Sequence, residues 1–208
     1  MDLSLSGART SQPLGRVMTA GIGRLLRAVR AGEDKITWHQ HASTHAPQTL
    51  ALTSPAFKDG DPIPRRHAGK GLGDNISPPL TWSAVPETTA ELVLIVEDPD
   101  APLPRPVTHL LVTGISPHVD TLDEGALNLE PDRGTPSPPL SIGKGSFHRR
   151  GYAGPRPIPG HGPHRYVFQL FALNRTTGLD TTATIASARA AMHGHVIARG
   201  RLTGTYER

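Results

Sequence analysis

The run Leu92-Val93-Leu94-Ile95-Val96-Glu97-Asp98-Pro99-Asp100-Ala101-Pro102 changes character half-way: five apolar residues, three of them β-branched, give way to carboxylates set between prolines. The apolar half reads as a buried strand, which ends where proline removes backbone donors. Two carboxylates therefore stand at a strand's end. Pro99 fixes one backbone angle between Asp98 and Asp100, so the loop that holds them is stiffer than an ordinary acidic loop and is a plausible place for a site.

Working outward, Asn75-Ile76-Ser77-Pro78-Pro79-Leu80-Thr81-Trp82 joins an Asn that can bond its own backbone to two helix-forbidding prolines. It should enter a strand with Leu80 and Trp82 on one face, closed by Val85-Pro86. Its spacing from Leu92 suits antiparallel neighbours. Downstream, Val107 to Val112 reads as another strand, and a short connection brings its His109 back beside the two aspartates. Residues 116 to 146 form a long irregular region rich in Pro, Gly, Asp and Glu. In Gly151 to Tyr166, Pro155, Pro157 and Pro159 alternate and hold the backbone extended, while flanking glycines let it bend closely. His164 stands at the entrance of a strand over Tyr166 to Leu173. A short first strand is expected at 50–53, an Ala-rich helix at 184–192 and a last strand at 196–206.

At the other end, Leu14, Val17, Met18, Ile22, Leu25, Leu26 and Val29 recur at three- and four-residue steps among arginines, which predicts an amphipathic basic helix over 14–30. It suits either a membrane or partner surface or docking on the domain or a second copy; Gly21 and Gly23 weaken a free-standing helix and favour docking. Residues 31–48 read as a polar connector. His39, His41 and His45 lie there without a helical face or an orienting carboxylate, so they read as solvated linker residues rather than metal ligands.

A chain of 208 residues with 36% hydrophobic content supports one good core. Gly and Pro make up about a fifth of it, which suits a β-rich protein with many turns. With no cysteine, disulfides, thiolate metal sites and a thiol nucleophile are all excluded. The net charge of +4 permits an anionic partner, but the basic residues are spread and not interleaved with aromatics, which argues against nucleic acid. No apolar run approaches the roughly 18 residues of a membrane span, nor does a secretory signal open the chain. The expectation is a soluble, unexported, cytoplasmic protein.

Asn75 to Trp82, Asp98-Pro99-Asp100-Ala101-Pro102 and Gly151-Tyr152 through His164-Arg165-Tyr166, taken together with His109, resemble the phosphatidylethanolamine-binding protein family. The likeness is to its bacterial, Raf-kinase-inhibitor-like (YbhB/YbcL-type) branch and covers about residues 48 to 208. It implies a mostly β fold, a sandwich with Greek-key features and peripheral helices, preceded by an extension over 1–47. It also implies a small anion pocket lined by Asp98, Asp100, His109, Gly154, Pro155, His164 and Tyr166, which takes phosphate, acetate or phospholipid head groups. Arg156 stands where many bacterial relatives have cysteine, and Ser146 to Arg150 replaces the usual approach to the glycine.

Alone, each of these residues has a plainer reading: the aspartates as turn residues, His109 as a core histidine, His164 and Tyr166 as strand-edge residues. The joint pattern favours a pocket, and leaves His161, His193 and His195 as structural or exposed. Two carboxylates are a poor lining for a phosphate unless a proton on His109, on His164 or on one aspartate offsets them. The favoured function is a binding protein without catalytic residues, metal or cofactor. Candidate partners are a small anion or head group, a regulated protein such as a kinase or protease, and a second copy through the N-terminal helix. The alternatives are a hydrolase using Asp98, His109 and His164 as acid and base, and a transferase with a cation on Asp98 and Asp100.

Overall fold

The computed structural model describes residues 14–40, 42–129 and 140–208, with 14–19 described by their backbone alone. Eight strands and two α-helices are found among them: α1 (Leu14–Leu25), β1 (Ala51–Thr53), β2 (Leu80–Ser83), β3 (Glu91–Asp98), β4 (Val107–Ile115), β5 (Thr121–Leu122), β6 (Ser141–Ile142), β7 (His164–Leu173), α2 (Ile185–Met192) and β8 (Val196–Tyr206).

All eight residues of β3 are buried. Because successive side chains point to opposite faces, Leu92, Leu94 and Val96 enter one core cluster while Val93 and Ile95 enter another. A strand apolar on both faces needs cover on both. β3 accordingly lies at the centre of a five-stranded antiparallel sheet ordered β6-β4-β3-β7-β8. A three-stranded sheet, β1-β2-β5, supplies Leu52, Leu80, Trp82 and Leu122 to the first cluster. α2 supplies Ala188 and Met192 to the second. The protein is thus a mostly β, two-sheet sandwich with peripheral helices.

Two expectations are corrected. β2 and β3 are not neighbours: β2 pairs β1 and β5, whereas β3 pairs β4 and β7. The turn between them, with Ala84 at φ 60°, carries the chain across the sandwich. The N-terminal helix ends at Leu25 instead of reaching residue 30. After a turn at 26–28 the chain runs along the acidic loop, with Ala31 N donating to Ala101 O (2.9 Å) and Gly32 N to Pro99 O (3.0 Å).

The connector is also more than polar linkage. Ile36 and Trp38 are buried in the second cluster. Thr37 N donates to Glu97 Oε2 (2.7 Å), Trp38 N donates to Gln169 Oε1 (2.7 Å), and the Arg199 guanidinium lies 4.2 Å from the Trp38 ring centroid. Packing is therefore continuous across residue 47. Likewise β5 and β6 emerge from the region read as irregular, each only two residues long.

Candidate functional site

The ends of β3, β4 and β7 converge on a cavity of about 360 Å³. Its walls include Leu26, Leu103, Val107, Phe147 and Ile158, its polar lining includes Asp98, His109, His164 and Tyr166, and the exposed Arg149 and Arg156 reach it from solvent. Of the residues expected to bind ligand, Asp98, His109, Gly154, His164 and Tyr166 line this one cavity; Asp100 and Pro155 do not. A side chain at Gly154 would drive its Cβ to 2.1 Å from His67 O, so only glycine allows this close approach.

Asp98 is fully engaged. Its Oδ1 accepts from the N–H groups of Asp100 (2.7 Å) and Ala101 (3.1 Å), closing the turn that Pro99 stiffens. Its Oδ2 is 2.7 Å from His164 Nδ1. The line continues: His164 Nε2 is 2.8 Å from His161 Nδ1, and His161 Nε2 is 3.1 Å from Val29 O. A carbonyl can only accept, so His161 Nε2 carries a proton. Three hydrogen bonds in line need three protons, whereas an ionised carboxylate and two neutral imidazoles bring two. The line is complete with one proton more, which leaves the three side chains without net charge.

His109 differs. Its Nδ1 donates to Ala153 O at 2.5 Å, and its ring meets Tyr166 edge-on at 5.0 Å between centroids. Burial pushes His109 below its ordinary value, and the Asp98 charge and the Ala153 bond oppose this without reversing it. The ring is therefore neutral, with its proton on Nδ1. Its Nε2 is buried without a partner among the described residues, in a side chain that lines the cavity. This replaces the expectation that His109 offsets an anion by its own charge. Burial, then the Asp98 charge, push the Tyr166 phenol up, so it stays protonated.

Asp100 serves the other face. His164 and Arg165 are consecutive in β7 and point to opposite sides, and the aspartates divide between them. The Asp100 carboxylate accepts from Arg165 N, Nε and Nη2, each at 2.8 Å, and from Arg30 Nη1 at 2.9 Å. Burial raises Asp100, but the hydrogen bonds and charge of Arg165, with Arg30, outweigh this and hold it below the usual carboxylate range. Arg165 also contacts Glu33. The helix-proximal segment is thereby tied to the site.

Sequence reasoning missed His161, Leu26, Arg149 and the Asp100–Arg165 pair. The three-residue spacing of His161 and His164 was the only local signal for the imidazole line. No group of three metal-ligating side chains comes together among the described residues. His39 is 3.8 Å from Glu33, His195 Nδ1 is 3.1 Å from Asn174 Oδ1, and His41 lies outside the described residues.

Residues 53–207 match the model of the phosphatidylethanolamine-binding protein family. The chain belongs to that family. A UPF0098 protein of Pyrococcus abyssi is 36% identical over 163 residues, 77% of this chain and 87% of the relative. LppC of Mycobacterium tuberculosis, named as a lipoprotein, is 40% identical over 168 residues, 80% and 77% of the two chains. The crystal structure of Escherichia coli YbcL, described as a new member of the mammalian PEBP family, superposes with a TM-score of 0.70 at 32% identity, covering 77% of this chain and 99% of that one. These relatives place the chain in the family's bacterial branch. Among the described residues no helix is long and apolar enough to cross a membrane.

Proposed function

We propose that the cavity binds a small polar head group of the phosphate or phospholipid class, with a hydrogen-bond donor directed inward and its phosphate directed outward. The observation that carries this reading is the buried, unpartnered Nε2 of His109, a residue that lines the same cavity that Arg149 and Arg156 reach from solvent. An acceptor within favours an ammonium or a protonated phosphate oxygen; guanidiniums at the rim favour the phosphate itself. The apolar wall suits the carbon atoms between or beside them. Family membership supports a binding role of this kind, and the proton shared along Asp98, His164 and His161 removes the carboxylate repulsion that would oppose it. Both ring nitrogens of His164 are already taken by Asp98 and His161, which favours binding over acid–base hydrolysis.

Calorimetric titration with phosphoethanolamine tests the reading. Binding is expected in the wild type and lost in His109→Ala, with Asp100→Asn retaining it. Equal affinity of wild type and His109→Ala overturns the assignment. Inorganic phosphate should bind more weakly as pH rises through its second ionisation, because the ligand loses the proton it donates to Nε2. A flat affinity between pH 5.5 and 8 contradicts that donor role.

A further inference from the structure

A second hollow, of about 440 Å³, adjoins the cavity and shares Arg149, Ala153, Gly154 and Arg156 with it. Lys70 and Arg150 line this hollow and not the cavity, and no described carboxylate lines it. Lys70, Arg149 and Arg156 make no ion pair among the described residues. Arg150 spends its Nε on Ile142 O (3.2 Å). Four cations around one hollow repel each other, and an anion placed among them relieves the repulsion.

The back wall is rigid. Asn75, held at φ 58°, accepts from Gly154 N through Oδ1 (2.8 Å) and donates to Tyr152 O through Nδ2 (3.0 Å). Asn128 Nδ2 donates to Asn75 O (2.6 Å), and Asn128 Oδ1 accepts from Ser77 N (2.8 Å). The segment that divides the two hollows is thus pinned by side-chain amides before any ligand arrives, which lowers the ordering cost of binding.

We propose that this cleft is a second anion site, built for a multiply charged phosphate group, so that a ligand can reach across residues 153–154 with one anionic group at the cavity rim and another on Lys70 and Arg150. The inference takes its ligand class from the head-group reading but stands on different residues. The shared chemistry is a polyanionic phosphate, free in solution or displayed on a lipid surface.

The full chain and its Lys70→Gln/Arg150→Gln variant would be titrated with inorganic pyrophosphate by calorimetry, and sedimented with phosphatidylcholine vesicles with and without phosphatidic acid. The double variant is expected to lose about tenfold in pyrophosphate affinity, as removal of charge-assisted contacts at a partly exposed site implies, and to bind phosphoethanolamine as the wild type does. Wild-type binding should fall steeply with added salt. Vesicle binding that requires phosphatidic acid and is weakened in the double variant assigns the site to a lipid surface; a loss confined to pyrophosphate assigns it to a free polyphosphate. Wild-type pyrophosphate affinity in the double variant overturns the cleft, whatever His109→Ala does to phosphoethanolamine.

Discussion

Asp98 and Asp100 stand two residues apart on one stiff loop, yet their carboxylates meet opposite electrostatic surroundings. Asp98 faces two imidazoles in line and a cavity; Asp100 faces two arginines and does not line that cavity. The imidazole line is satisfied by protons that can be rearranged, whereas the guanidiniums hold fixed charges that demand a permanent counter-charge. One carboxylate therefore helps tune a site, and the other fastens the segment before β1 to the strand that carries it.

Substitutions at the two positions sharpen the contrast. Asp98→Ala leaves His164 Nδ1 and two buried backbone N–H groups unpaired, and should cost about 3 kcal/mol in urea unfolding. Asp100→Ala strands Arg165 and Arg30, but both arginines are more than a third exposed, so solvent screening reduces the loss to about 2 kcal/mol. Asparagine separates the positions further. At 98 its carbonyl keeps both turn hydrogen bonds, and its amide donates to His164 Nδ1; the line is then complete with two neutral imidazoles. Asp98→Asn should cost under about 1 kcal/mol, while Asp100→Asn retains most of the alanine penalty because an amide supplies no charge. Equal losses for the two asparagine variants would break the comparison and the proton count behind Asp98.

The smallest effect concerns acid. His109 is held below its ordinary value of 6.5, so the folded state binds a proton there less readily than the unfolded chain. Its neutral ring contributes stability that is present above about 6.5 and lost as pH falls through the lowered folded value. His109→Gln should therefore show a shallower loss of stability on acidification than the wild type, read from urea midpoints across pH 7 to 5. An unchanged slope would contradict the burial account.

Much of this was legible in the residues. The five-residue apolar run announced the central strand, β8 fell where its alternation placed it, and the block from Gly151 to Tyr166 led to a real concavity. What stayed hidden was non-local. Ile36 and Trp38 sit in a polar-looking connector with no period to reveal that they fill a face of the sheet. The pairing of β2 with β1 and β5 depends on a crossing turn that spacing does not encode. Asp98 and Asp100 looked equivalent because their sequence context is the same; only the alternation of His164 and Arg165 across β7 tells them apart, and that needs the strand register.

Nitrogen NMR of the histidine rings, followed during titration with phosphoethanolamine at pH 7, reads the proton position on His109 itself. The expected result is a free His109 ring protonated at Nδ1 alone, whose bare Nε2 signal moves toward the protonated range as ligand is added, while the ring resonances of His195, which is half-buried against Asn174 and lines neither hollow, stay in place. A His109 ring already protonated at both nitrogens, or an Nε2 signal indifferent to ligand, would contradict the assignment of that atom as the acceptor of the cavity.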